Sequence, residues 1–483
     1  MEKLKRHKTL VFTVLFFGIL YSLISLVNHY NFRTYALDLG AYTNALYDYS
    51  HFQWNDSTAF KFVEENLLAD HFDLYLILFS PLSLIFGTYT LQVIQILFLL
   101  FGGVGVYAYF KTEKKTSPFA IYASLYFYIF FGVFAAVSYD YHSNVIAAAL
   151  IPWFFLFVKK GKLLFATILI VLILISKENI SLWFVFICLG LTIEYRKTPY
   201  IRNFLILASI FSGIFFILIT SVVMPSFSNI GNYPHFHYGF LGENFSEAIV
   251  HLISHPVESF KVLFTNHINH PNGDFVKLEL HLLLLISGLP LLIKKPQYLL
   301  MLVPIYFQKL FHDNYSMWGI GGQYSIEFAP ILSVGIFSVL ADFKKRKRIK
   351  TVSIVVVILA LGATIRTMDN TVFFTNKSTI RFYKSSHYSR DYNVQNVHVQ
   401  LNKIPKNAIV SAQSPFLPHL ALRDNIYQFP IIKDAEYVIF SKNENSYPLT
   451  KEEFLSETTL IKNSNEWELI YDDEVVILRK VKI

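Results

Sequence analysis

Apolar runs of bilayer length follow one another along most of this chain, and the polar stretches between them alternate in kind. One set of ends carries Lys and Arg clusters, such as Lys159-Lys160-Gly161-Lys162 and Lys344-Lys345-Arg346-Lys347-Arg348; the other carries Asp, Glu, His, Asn and Tyr. A helix needs about 20 apolar residues to span a bilayer, and Thr9 to Val27, Ile201 to Val223 and Thr351 to Ile365 reach or approach that length. Cytoplasmic loops are enriched in Lys and Arg, so the basic ends read as inside and the His-rich ends as outside. The pattern predicts spans near 9–28, 90–110, 118–137, 143–158, 162–176, 179–193, 202–223, 278–293, 297–311, 325–342 and 350–366, about eleven in all. The stretch 73–86 precedes 90–110 with Gly87-Thr88 between them. Two crossings there would put Lys111 to Lys115 outside, so 73–86 is expected to lie in or against the membrane.

Beyond 367 charge rises and apolar runs shorten to strand length, at Ala408 to Ser411, Tyr437 to Phe440 and Val475 to Leu478. A short helix over Pro415 to Leu422 would lie between the first of these and a further strand at Ile426-Tyr427, the order of a small α/β domain. The expected fold class is therefore an α-helical polytopic membrane protein with a small C-terminal α/β domain. Residues 1–366 form the membrane domain, with outer loops 29–72 and 224–277, and residues 367–483 form an extracytoplasmic domain.

Composition agrees. Hydrophobic residues make up 54% of the 483 and charged residues 16%, against about a quarter charged in soluble domains. The formal charge of +8 resides largely in the short inside clusters; topology accounts for it, and no nucleic-acid partner is implied. Cys188 is the single cysteine, so no intrachain disulfide forms. The basic Met1 to Lys8 leads into a long apolar stretch with no small-x-small cleavage site, which reads as an uncleaved first span of a plasma-membrane protein with its N-terminus cytoplasmic.

The topology places the candidate chemistry on one face. Asp38 follows span 1 among apolar and aromatic residues, where it could act as a base or metal ligand, or cap the helix beginning at Leu39. His71 lies between Asp70 and Asp73, so Asp38 and His71 are the candidate donors to a divalent metal. Asp140-Tyr141-His142-Ser143-Asn144 makes a whole outer turn. Lys177-Glu178 interrupts two apolar spans, a depth at which ionisable groups face a bundle interior or aqueous cavity. There Lys177 can bind a phosphate and Glu178 orient it or assist proton transfer; a structural ion pair is the bland alternative. His235, His237, His251, His255, His267 and His270 follow no zinc spacing and suggest a mobile, substrate-covering loop. Lys309 then precedes the glycine-rich turn Gly319 to Tyr324 and Glu327. Carboxylates, imidazoles and cations beside lipid suit a substrate with a polyisoprenyl tail and a phosphate-linked head.

These residues resemble a known pattern. Asp38-Leu39-Gly40, His71-Phe72 and Lys177-Glu178, with Ser411-Ala412-Gln413, Pro418-His419-Leu420, Arg423, Ile426-Tyr427 and Phe429-Pro430 in the tail, resemble the prokaryotic membrane-protein family called domain of unknown function 2079. That family is similar in layout to the GT-C superfamily of integral-membrane glycosyltransferases, which place an acidic residue in the first outer loop and take sugars from polyprenyl-phosphate donors. The resemblance implies that Asp38 is the counterpart of that residue. The expected function is sugar transfer from a polyprenyl-phosphate donor at the outer face. Asp38 and Glu178 are the catalytic candidates, and His71, His142, Lys177 and Lys309 the substrate-binding ones. A transporter or lipid flippase is the alternative, disfavoured by the lack of an internal repeat; a non-catalytic scaffold is another.

Overall fold

The computed structural model describes residues 7–343, 346–372 and 377–481. Residues 1–6, the Lys344-Lys345 pair and the side chains of Arg346-Lys347-Arg348, on which part of the inside assignment rests, lie outside the described residues. Chain contacts divide the protein into two units. One holds Met1–Tyr21, Gln95–Pro225 and Asn232–Arg381; the other holds Ser22–Ile94, Ser226–Gly231 and Phe382–Ile483.

Among the described residues four helical stretches are long and apolar enough to cross a membrane: Lys8–Tyr30, Tyr75–Lys111, Pro199–Phe227 and Ile349–Asp369. A fifth is Ser117–Ile129 with Phe131–Val137, bent by 45° where Phe130 turns extended. The remaining expected spans fall on shorter helices: Ser143–Lys159, Leu163–Leu174, Glu178–Glu194, Val276–Ile286, Val303–Leu310 and Phe328–Ala341. At 1.5 Å per residue a 12-residue helix is only about 18 Å long, against the ~30 Å hydrocarbon core. Length alone therefore identifies four or five crossings where the hydropathy pattern suggests eleven. The expected separation of 73–86 from 90–110 is not seen as a sharp break: Tyr75–Lys111 runs as one helical stretch, with Gly87 at a φ of +56° in a short turn before the helix Thr90–Lys111.

Close approaches between backbones fix the first unit. A Cβ on Gly103 would stand 2.1 Å from the Tyr128 ring, and one on Gly190 would stand 2.6 Å from the Gln297 carbonyl. The tightest backbone approach is at Gly132, just past the bend. A Cβ there would fall 2.2 Å from the Ser325 carbonyl oxygen, so only glycine lets the 319–327 turn seat against this helix.

The second unit is built on a five-stranded sheet of order β2-β1-β3-β5-β4, with β1 Val410–Ala412, β2 Ile426–Gln428, β3 Tyr437–Phe440, β4 Trp467–Asp472 and β5 Val476–Lys480. β1 pairs in parallel with β2 and β3, whereas β5 runs antiparallel to both β3 and β4. Successive side chains point to opposite faces, and each face meets a separate core. Ile439 and Ile477 join Phe32, Ala36, Ala41, Phe416 and Leu417 on one side. Val438, Phe440, Val476 and Leu478 join Phe429, Phe454 and Ile461 on the other. The helix behind this second core, Lys451–Asn463, is started by a reciprocal capping box of Thr450 and Glu453. The sheet thus packs directly on the segment that follows the first span, although some 370 residues separate them in sequence.

Candidate functional site

In the sheet unit, Asp38 lies within a π-helical turn, Ala36–Gly40, that leads into the helix Ala41–Ser50. It is half-buried and does not occupy the N-cap position, which falls to Gly40. The turn is held from the C-terminal side of the chain: the Ala36 amide donates to Ser414 Oγ at 3.1 Å. Gly40 is needed for the same contact, since a Cβ there would stand 2.5 Å from Leu417 Cδ2 and 3.6 Å from Pro418 Cγ. The pairing of Asp38-Leu39-Gly40 with Pro418-His419-Leu420 in the sequence therefore has a steric cause. His71 is also half-buried, and the neighbouring Asp73 is buried with its Oδ1 accepting from the Tyr75 amide at 2.9 Å.

Other residues of the tail motif are scaffolding. Gln413 accepts from the Ser441 amide at 2.7 Å and donates to the Asn445 carbonyl at 2.8 Å. Arg423 is buried and donates to the carbonyls of Leu420 (2.6 Å), Ala408 (2.8 Å) and Pro405 (3.3 Å). Asn44 reaches across to the carbonyls of Ala421 and Arg423 at 3.2 and 2.8 Å.

Asp48 is a carboxyl that the sequence reading passed over. Burial pushes it up to about 7, against the hydrogen bond it accepts from Asn55 Nδ2 at 2.8 Å. A raised carboxyl binds its proton in the folded state over a range where the unfolded chain has lost it. Stability should accordingly fall as pH rises from about 4 to about 7. Thermal unfolding of the purified protein at several pH values checks this: Asp48→Asn should flatten the decline, and an unchanged slope would remove Asp48 as its cause.

In the helical unit, Lys177 and Glu178 stand at the start of the helix Glu178–Glu194. Lys177 is half-buried and in extended conformation at the N-cap; Glu178 is buried in the first turn, where the helix dipole favours a carboxylate. His142 holds the equivalent N-cap position of Ser143–Lys159, buried, with its amide donating to Gln95 Oε1 at 3.0 Å and its Nδ1 3.1 Å from the Asp140 carbonyl. Two residues on, Asn144 Nδ2 donates to Glu327 Oε1 at 2.7 Å. Glu327 is 4% exposed, and the charges of Lys309 and Lys177 both act on it. Lys309 is itself 1% exposed and donates from Nζ to the Gly319 carbonyl at 2.8 Å, which pins the glycine-rich turn.

Three oxygens in this group have no hydrogen-bond partner: Glu327 Oε2, Asn144 Oδ1 and Gln323 Oε1. Buried acceptors that receive no bond from the protein are free to accept from water or a ligand. The arrangement offers hydrogen-bond acceptors to hydroxyl groups beside two ammonium groups suited to an anion. His142, Lys177, Glu178 and Lys309 all belong to this unit, whereas Asp38 and His71 belong to the sheet unit. The sequence reading placed Glu327 after the glycine turn without assigning it a role, and it missed the pairing with Asn144, a residue 183 positions away. A buried acid one residue before an apolar helix was the available signal.

The fold is that of a solved membrane enzyme. The chain is similar to ArnT from Cupriavidus metallidurans, a GT-C glycosyltransferase whose crystal structure holds undecaprenyl phosphate. The TM-score is 0.56 at 9% identity, covering 99% of this chain and 98% of that one. At this identity the likeness is one of fold. No curated protein matches the sequence. A family model described as predicted membrane protein (DUF2079) matches residues 28–477, nearly the full length, and the chain belongs to that family.

Proposed function

We propose that the protein is a GT-C-like glycosyltransferase that moves a sugar from a polyprenyl-phosphate donor to an acceptor at the outer face of the plasma membrane. The observation that carries this reading is the end-to-end likeness to a GT-C fold solved with a polyprenyl phosphate. The buried Asn144–Glu327 pair beside Lys177 and Lys309 supports it with chemistry of the right kind. The reading includes eleven crossings, a cytoplasmic N-terminus and an outer sheet unit.

Asp38 takes the proton of the acceptor hydroxyl as its oxygen attacks the anomeric carbon. The bond from that carbon to the phosphate oxygen breaks, and the electron pair leaves with the lipid phosphate. Lys177 and Lys309 offset the charge that collects there, and Glu178 orients Lys177. His71 and His142 contact substrate, while Glu327 and Asn144 accept from sugar hydroxyls. Positioning and charge stabilisation then supply most of the rate.

Binding of undecaprenyl phosphate to the full chain in lipid nanodiscs tests the assignment. Lys177→Gln should weaken binding about 10- to 100-fold, the worth of one charge-assisted contact. Equal affinity for the two proteins would remove Lys177 from the site. Transport of labelled lipid in proteoliposomes without any sugar transfer would overturn the enzymatic reading.

A further inference from the structure

The His-rich 224–277 segment contains two amphipathic helices, Phe245–Ser254 and Pro256–Val262, where the sequence suggested a mobile cover. Their side chains sort into sectors. Ala248 and Val262 pack inward with Leu241 and Phe311, joined by Leu252 and Leu263. Glu247, His251 and Ser254 form a polar edge: Asn244 caps the helix by accepting from the Glu247 amide and donates to the Glu247 carboxylate, and Ser254 returns to the Val250 carbonyl. A third sector is apolar and exposed: Ile249, Val250, Ile253, Val257, Phe260 and Phe264, with Ile253 75% exposed. Soluble proteins rarely present so continuous an apolar patch.

One end of this helical pair is tied to a membrane span and the other to the helix Val276–Ile286. Phe245, its first residue, meets Phe216 of the span Pro199–Phe227, with ring centroids 5.2 Å apart. At the other end Phe264 lies 4.7 Å from the His281 ring, and His281 Nε2 bonds the Leu263 carbonyl at 2.9 Å. Lys277 Nζ also donates to the Val262 carbonyl at 2.5 Å. His281 and Lys277 belong to the helix Val276–Ile286, whose Leu278, Leu282 and Leu285 are themselves exposed. The exposed apolar sector is thus continuous, through these anchors, with side chains of two apolar helices that present the same kind of surface.

We infer that residues 245–264 form an in-plane membrane hairpin, whose exposed face of Ile249, Val250, Ile253, Val257, Phe260 and Phe264 is embedded among lipid acyl chains at the bilayer boundary. An amphipathic helix with this division of faces lies in the interface and does not span. The occupant of the face is lipid, because one anchor is a membrane span, the other is a helix with exposed leucines, and the polar edge supplies Ser254 and Glu247 to the headgroup side.

Nitroxide labels attached to cysteine test this in the full chain, with Cys188→Ser as background. Ile253→Cys, Phe260→Cys and, as the polar control, Glu247→Cys are reconstituted into vesicles of phosphatidylcholine and phosphatidylglycerol. Collision rates with oxygen, which partitions into lipid, are compared with those of a water-soluble nickel chelate. The oxygen-to-nickel ratio should be several-fold higher at 253 and 260 than at 247. Equal ratios at the three sites would overturn the inference, as would a higher ratio at 247. All three side chains lie at the surface, so folding is preserved. A burst of nickel access at 253 and 260 in vesicles would show a water-exposed loop.

Discussion

In the Asp38→Asn variant, sugar transfer is expected to fall by about 10²- to 10⁴-fold, the usual contribution of a positioned general base. Asparagine keeps the size of the side chain and loses its basicity. Asp38 is not the cap of the helix that follows, and the turn around it is held through Ala36, Gly40 and Leu417. The variant should therefore insert and unfold like the parent protein. Transfer in membranes and undecaprenyl phosphate binding, measured on the same preparation, separate the roles. Lost transfer with retained lipid binding fits a base. Unchanged transfer would exclude it, and joint loss of binding and folding would make Asp38 a structural residue.

The second large effect is on stability. Arg423→Met is expected to cost about 3–5 kcal/mol, as removal of one partner from a buried charge-assisted network does. The guanidinium satisfies carbonyls of Leu420, Ala408 and Pro405, drawn from two stretches of chain, and its bonds to Leu420 and Ala408 are buried. Burial brings it down to about 10, still far enough above neutrality to remain charged. Methionine fills the aliphatic volume and removes the donor to the Leu420 and Ala408 carbonyls, while the Pro405 carbonyl keeps the Ala408 amide at 3.1 Å. Protease resistance of the sheet unit reports the loss; a cleavage pattern identical to wild type at 37 °C would show that the carbonyls find other partners.

The sequence disclosed the helical membrane class, four of the five strands and the family-bearing residues, because each depends on local hydropathy or on a short motif. It missed β4, whose residues are mostly half-exposed to exposed and so carry no buried alternation. It missed the helix Lys451–Asn463 despite a Thr450/Glu453 capping box, since most of its surface is polar. The site shows the same limit. Lys177, His142 and Lys309 stood out as polar groups among apolar runs. Asn144 and Glu327 acquire meaning only as a pair, and nothing local signals a contact between a helix start and a turn far down the chain. Gly40 and Gly132 were similarly silent: their importance is the absence of an atom where another part of the chain passes.

The sheet unit is discontinuous, and that has a consequence for biosynthesis. Phe32, Ala36 and Ala41 pack against residues that begin near 394. Ribosomes add about 5–20 residues per second, so roughly 350 intervening residues keep the Asp38 turn without its partner for about 18–70 s. During that interval the helices of the other unit are already being inserted. The last segment made is the one that closes over the first, and a truncated chain would never assemble the turn that carries Asp38. Completion of synthesis is thereby coupled to formation of that turn.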